Sequence, residues 1–271
     1  MRHNLSILLL TVAIASAVLV GCSSSPSGPG FGTMNVRMTD APGAFDHVNL
    51  VVTQVSAHLA GAAAADSDSA GSNSGWITLS SEAVTYDLLT LQNGVFVTIG
   101  TGRIPAGHYT QIRLKLGAGS TVVVDGVTYP LTVPSGLQTG LKLVGSFDVP
   151  ANGLLDVALD FDAARSVIQN GAGLYHLKPT VRVMPFSTAG AITGQVAPAD
   201  VATTIFAVQA SDTLGSALAA ADGKFTVSVL APGSYALAFH PASGFRDTTL
   251  ASVVVASQVT TNVGTVQLTP Q

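Results

Sequence analysis

Between residues 111 and 116 the side chains change character at every step: Gln111, Arg113 and Lys115 share one parity, Ile112, Leu114 and Leu116 the other. Only an extended backbone, with successive side chains on opposite faces, gathers this pattern into one apolar and one polar surface. Strands are predicted on the same grounds at residues 34–39, 48–55, 83–91, 95–99, 141–149, 154–161 and 175–184. Helices compete poorly, because Glu82 is the sole Glu among fifteen acidic residues and Lys is scarce. Those two residue types populate exposed helix faces. With 47% apolar and 10% charged residues, the chain carries too much core material for disorder. Its 28 Gly and 13 Pro suit many short strands joined by turns. The expected fold class is all-β: two antiparallel β-sandwich domains after a signal peptide and a flexible tether.

Turn chemistry sharpens the reading. Asp125-Gly126 lies between Val122-Val123-Val124 and Val127-Thr128-Tyr129, the composition of a hairpin with a type I′ turn. Asp222-Gly223 and Pro232-Gly233 bracket Phe225, Val227 and Val229, whose common face is matched after the second turn by Tyr235, Leu237 and Phe239. Ile104-Pro105-Ala106-Gly107-His108-Tyr109 is similar in type to Leu230-Ala231-Pro232-Gly233-Ser234-Tyr235. Strict alternation, however, sets Tyr109 on the face opposite Ile112 and Leu114, so the two segments share turn chemistry without sharing register.

The N-terminus carries an address. Residues 5–20 form an apolar run interrupted by Ser6, Thr11 and Ser16, shorter than the roughly 20 residues a spanning helix requires. A signal peptide over residues 1–21 fits better than a transmembrane anchor. Leu19-Val20-Gly21-Cys22 resembles the bacterial lipobox, and Cys22 is the chain's single cysteine. The resemblance implies cleavage before Cys22, lipidation of its thiol and acylation of the new amine, which anchor a protein stably to a membrane. Ser23 follows where aspartate would mark inner-membrane retention, which points to the outer membrane in a host with two membranes. Residues 22–32, the lipidated Cys with its Ser/Pro/Gly-rich continuation, read as a tether.

Residues 33–186 are expected to form the first domain. Met38-Thr39-Asp40-Ala41-Pro42, Trp76-Ile77-Thr78-Leu79 and Tyr86-Asp87-Leu88-Leu89-Thr90-Leu91 come first in order. Ile104-Pro105-Ala106-Gly107-His108-Tyr109, Asp160-Phe161-Asp162-Ala163-Ala164-Arg165-Ser166-Val167 and Tyr175-His176-Leu177-Lys178-Pro179 follow. Together they resemble the bacterial domain-of-unknown-function family 4382, which implies an extracytoplasmic β-sandwich without an established activity. Residues 188–271 are expected to form the second domain. The block from Asp222 to Phe239 resembles the carboxypeptidase regulatory-like, transthyretin-like family. Those modules are non-catalytic, and they share a general fold with carbohydrate-binding modules.

Candidate sites are few. In the strand at residues 154–161 the odd positions are apolar, so Asp156, Asp160 and Asp162 share the opposite face at about 6.8 Å spacing. That face suits a structural Ca²⁺, or else a solvated surface with Arg165 paired to one acid. In the acidic insertion at residues 61–75, Asp66 and Asp68 lack the partners of a calcium loop, since Ala70 and Ile77 stand at ligand positions; a surface loop is expected there. No basic cluster invites nucleic acid, and one cysteine permits neither an internal disulfide nor a thiolate metal site. Gly-x-Ser-x-Gly, His-Glu-x-x-His, phosphate-loop and dinucleotide patterns are missing from the sequence. His47, His58, His108, His176 and His240 are scattered and read as surface or hydrogen-bonded residues. The expectation is a non-catalytic cell-envelope lipoprotein displaying its domains for adhesion, assembly or scaffolding, with no cofactor and no catalytic residue. Its partners would be the membrane, through lipid, and a protein or glycan. Carbohydrate binding is the alternative, for which Trp76 and five Tyr supply the aromatic rings, and an envelope hydrolase comes third.

Overall fold

A computed structural model describes residues 30–61, 75–134, 140–242 and 244–271. The leader, Cys22, most of the tether and Asp66 and Asp68 of the acidic insertion lie outside the described residues.

The N-terminal body contains β1 (Phe31–Ala41), β2 (His47–Leu59), β3 (Trp76–Ser80), β4 (Val84–Asp87), β5 (Val97–Pro105), β6 (Gly107–Leu116) and β7 (Thr121–Val124). It continues through β8 (Val127–Thr132), β9 (Leu141–Val149), β10 (Leu154–Asp162), a short helix α1 (Ala163–Ser166), β11 (Val167–Gln169), β12 (Tyr175–Leu177) and β13 (Val181–Pro185). One sheet has the order β13-β10-β1-β5; the other runs β11-β12-β8-β7-β2-β6-β9, with β3 and β4 also paired to β2. Met34, Val36 and Met38 of β1 and Val157, Leu159 and Phe161 of β10 are fully buried in one core with Leu50, Val55, Ile112 and Leu114 of the other sheet. Each such side chain contributes roughly 1.5–3 kcal/mol by leaving water. The predicted hairpin is present: β7 pairs with β8 through Asp125 and Gly126, both at positive φ (49° and 74°), as a type I′ turn requires.

The C-terminal body contains β14 (Gly190–Ala197), β15 (Thr203–Gln209), β16 (Asp212–Leu218), β17 (Lys224–Leu230), β18 (Gly233–Pro241), β19 (Thr248–Val255) and β20 (Thr260–Gln267). Its sheets, β17-β14-β20 and β16-β15-β18-β19, enclose a second core of Ile192, Ile205, Phe225, Val227, Leu237 and Phe239. The fold is all-β, as its alternation and composition predict.

The two bodies share one wiring. In each, the first strand lies between a parallel and an antiparallel partner: β1 between β10 and β5, β14 between β20 and β17. In each, the second strand starts an antiparallel run in the opposing sheet, β2-β6-β9 and β15-β18-β19. The crossings from β5 to β6 and from β17 to β18 therefore occupy equivalent places, and both are closed by a tyrosine. Tyr109 donates its hydroxyl to the Pro105 carbonyl and Tyr235 to the Ala231 carbonyl, each at 2.8 Å and each four residues upstream. Both rings are buried. Tyr109 is thus turned inward, against the strict alternation expected along residues 109–116. β6 shifts register between Tyr109 and Gln111 against β9, and between its partners His58 and Leu59 on β2. One extra residue inverts the alternation and turns Tyr109 inward with Ile112.

Other boundaries also move. The predicted strand at residues 83–91 ends at Asp87, whose carboxylate accepts from the Leu89 N–H and caps a 3₁₀ turn over Leu88–Leu91. The run at 175–184 divides around Pro179, which has no N–H to give a ladder. β15 shows no clear alternation in sequence because outward Phe206 and Val208 are as apolar as inward Ile205 and Ala207. β1 begins at Phe31, inside the segment read as tether, where Arg103 lies over the Phe31 ring at 4.2 Å.

Candidate functional site

The parallel pairing of β1 with β10 brings the two acidic motifs side by side, in the register Thr39 to Asp160, Asp40 to Phe161 and Ala41 to Asp162. Asp162 ends β10 and caps α1. Its Oδ1 accepts from the Arg165 N–H at 2.9 Å and its Oδ2 from Arg165 Nε at 2.5 Å. Asp160 forms an ion pair with Arg182 of β13. Asp40 points to the core side, where its Oδ1 accepts from the Ala163 N–H at 3.0 Å. Its Oδ2 is buried without a hydrogen-bond partner. Burial pushes the Asp40 carboxyl up to about 9, and the nearby Asp160 and Asp162 charges push it the same way. Asp160 is raised too, because burial outweighs the Arg182 charge.

Of the three aspartates predicted to share a face, Asp156 stands apart, accepting from Asn35 Nδ2 at 2.9 Å. Thus Asp156, Asp160 and Asp162 each serve a different neighbour. Among the described residues no three His, Cys, Asp or Glu side chains are grouped to hold a metal ion. The Arg165 partner is present, but the face is not solvated: Asp160 and Asp162 are 6% and 9% exposed. The C-terminal body lies against it. A Cβ on Gly215 of β16 would stand 2.8 Å from Val227, 3.1 Å from Leu230 and 3.2 Å from the Arg182 guanidinium, so Arg182 packs closely on the β16 backbone.

Asn93 fastens the junction. It follows the 3₁₀ turn with φ +55°. Its Nδ2 donates to the Leu218 carbonyl of β16 at 2.9 Å, and its Oδ1 accepts from the Thr226 N–H of β17 at 3.2 Å. One amide from the N-terminal body thus satisfies backbone groups on both sheets of the other. Asn-Gly reads only as a turn in sequence, and nothing in one dimension identifies Asn93, Arg182 or Asp40 as junction residues.

Two clefts flank this contact. One, of about 580 Å³, is lined by Phe96, Phe186, Asp156, Thr226, Ser228 and Thr260. Its two rings meet edge to face at 5.0 Å, with the Arg37 guanidinium over both. The other, of about 430 Å³, lies between Asp162 and Arg165 on one side and Thr204, Phe206, Thr213 and Ser216 on the other.

The histidines are mostly structural. His47, His108 and His240 pair with Asp87, Asp148 and Asp247 at 2.7, 2.9 and 3.0 Å, and His176 contacts Asn170 at 2.9 Å. His58 is buried, its ring edge-on to Trp76 at 5.0 Å. Burial lowers its pKa from the usual imidazole value, and Lys142 and Arg113 act in the same direction. Arg113 covers the Trp76 ring at 4.3 Å, so the single tryptophan is engaged within the protein.

No curated protein matches the chain. Among solved structures, the Bacillus anthracis TIE protein aligns at 10% identity and TM-score 0.25, over 89% of this chain and 34% of that one. A leucine-rich repeat protein from Bacteroides thetaiotaomicron aligns at 14% identity and TM-score 0.20, over 89% of this chain and 26% of that one. The chain thus spans about a third or less of the length of these two. The shaft pilin SpaA of Lactobacillus rhamnosus GG aligns at 10% identity and TM-score 0.22, over 90% of this chain and 98% of the pilin. TM-scores this low carry no argument about function. The family match is of another kind: the model described as "Domain of unknown function (DUF4382)" covers residues 31–179, more than half of the sequence and every strand from β1 to β12. The chain belongs to the DUF4382 family.

Proposed function

We propose that this chain is a non-catalytic cell-envelope lipoprotein that holds two β-sandwich modules at a membrane surface for adhesion, assembly or scaffolding. The observation that carries the reading is the use made of its acids. Asp160 neutralises Arg182, Asp162 caps α1, Asp156 holds Asn35, and Asp40 accepts from the Ala163 N–H. A general acid or base must reach a reacting group; Asp40 and Asp160 are buried between strands and bodies, and Asp156 and Asp162, which line the two clefts, are engaged by Asn35 and Arg165. The Asn93 bridge supports a rigid pair, which suits display. The second module is read as carboxypeptidase regulatory-like from its turn and stripe pattern. The membrane address rests on Leu19 to Cys22, and it implies the outer membrane where the host has two.

Metabolic labelling with radioactive palmitate, followed by fractionation, tests the proposal. Wild type should label and sediment with membranes, whereas Cys22→Ser should remain unlabelled and leave the membrane fraction. Equal labelling of both proteins, or an unlabelled wild type, removes the anchor and with it the display role.

A further inference from the structure

We infer that the 430 Å³ cleft between the two bodies is a binding site for a carboxylate-bearing sugar. Its two walls bring different chemistry. The N-terminal wall supplies charge: Arg165 gives its Nε to Asp162, yet its side chain remains 49% exposed. A guanidinium has five N–H donors, and the terminal fork is the part that matches a carboxylate bidentately. Asp162 is itself held by the Arg165 backbone N–H at the start of α1, so the fork is positioned before any ligand arrives.

The C-terminal wall is the outer face of the β15–β16 pair. Phe206 stands opposite Ser216 in the ladder, Thr204 opposite Leu218, and Thr213 opposite Val208. The ring of Phe206 is half-buried and braced edge-on by His240 at 5.4 Å. Around it the hydroxyls of Thr204, Thr213 and Ser216 are half-buried and make no hydrogen bond among the described residues. An apolar ring bordered by free hydroxyls complements a saccharide, whose C–H face packs on the ring while its own hydroxyls exchange hydrogen bonds at the edge.

Asp162 takes only the Nε of Arg165, so a neutral sugar would leave the terminal fork without a charged acceptor, and an inorganic anion would leave the ring and hydroxyls unused. A sugar acid engages all three. A peptide adding to the edge strand β16 fits less well, because the Leu218 carbonyl is already taken by Asn93. The volume falls within the range of small-ligand sites. This inference stands independently of the lipid anchor, since neither wall involves residues near Cys22.

The test titrates the full chain, solubilised in detergent, with sodium glucuronate, glucose and sodium sulfate, read by calorimetry and by saturation transfer to sugar C–H protons. Glucuronate should saturate at least tenfold more tightly than either comparator. Arg165→Gln should weaken it about 10- to 100-fold, the range for a hydrogen bond to a charged group. Phe206→Ala and Thr213→Val, which leave the Arg165–Asp162 pair in place, should weaken it too, with melting curves confirming that the variants are folded. Equal affinity for glucose and glucuronate, equal affinity for sulfate, or undiminished binding by Phe206→Ala and Thr213→Val would overturn the inference. So would the absence of glucuronate binding at millimolar concentration, whatever the outcome of palmitate labelling.

Discussion

Replacing Asp40 by Asn should change the sign of its effect on stability between acid and neutral pH. Asp40 is 5% exposed, accepts one backbone hydrogen bond through Oδ1, and has a carboxyl pKa raised from 3.8 to about 9. The folded protein therefore holds a proton at pH 7 that the unfolded chain releases. Because the native state binds more protons, stability falls as pH rises from 3.8 towards about 9, by about 1.4 kcal/mol per unit. Over the three units up to pH 7 this amounts to about 4 kcal/mol. Asparagine keeps the shape and the acceptor for the Ala163 N–H and has no proton to retain. Its amide does bury one more donor than the carboxylic acid, at about 1–3 kcal/mol. Asp40→Asn should thus be less stable than wild type by about 1–3 kcal/mol near pH 4 and more stable by about 1–3 kcal/mol at pH 7. Urea unfolding at several pH values, followed by the fluorescence of Trp76 beneath Arg113, measures both curves. Parallel pH profiles for the two proteins, or a wild type that gains stability through this window, would refute the reasoning.

The tyrosine corners make a matched pair. Tyr109→Phe and Tyr235→Phe each leave a carbonyl without its donor, so both should cost about 1–3 kcal/mol in chemical denaturation, and a loss at one site alone would break the equivalence. At the junction, Asn93→Gly keeps the left-handed backbone accessible but removes both bridging bonds, for a loss of about 1–3 kcal/mol. Calorimetry should show its single transition dividing into two, and an unchanged single transition would mean that Asn93 does not couple the bodies. Arg182→Met strands the Asp160 carboxylate in the junction and should destabilise the protein by about 3–5 kcal/mol. Because Asp160 is raised by burial, acid should relieve that loss as the carboxyl takes up a proton, and melting across pH 5–8 checks the direction.

Much of the architecture is legible in one dimension because a strand's side chains obey a period of two. Ile112, Leu114, Val157, Leu159, Phe225 and Leu237 are predicted inward by parity and are fully buried. Asp125-Gly126 is readable as a hairpin because few residues tolerate positive φ at both turn positions. Parity also places Asp156, Asp160 and Asp162 on one face, but it cannot say what covers that face. The approach of β16 and the insertion of Arg182 depend on residues far away in the chain. The same limit explains Tyr109. A one-residue bulge inverts every later position of a strand, and it is specified by pairing with β2 and β9 rather than by the residues of β6 alone.

The sequence by itself determined that this protein is all-β and where its hairpin turns, since composition and turn stereochemistry are local properties; the proposed address rests likewise on a short motif, the resemblance of Leu19 to Cys22 to a lipobox. Only the tertiary structure decided that the two bodies share one wiring, that the aspartate face is a junction and not a solvated surface, and that Arg165 and Phe206 meet across one cleft. Those outcomes come from contacts between strands remote in the chain, where a carboxylate's environment, and with it its charge, is set by whatever packs against it.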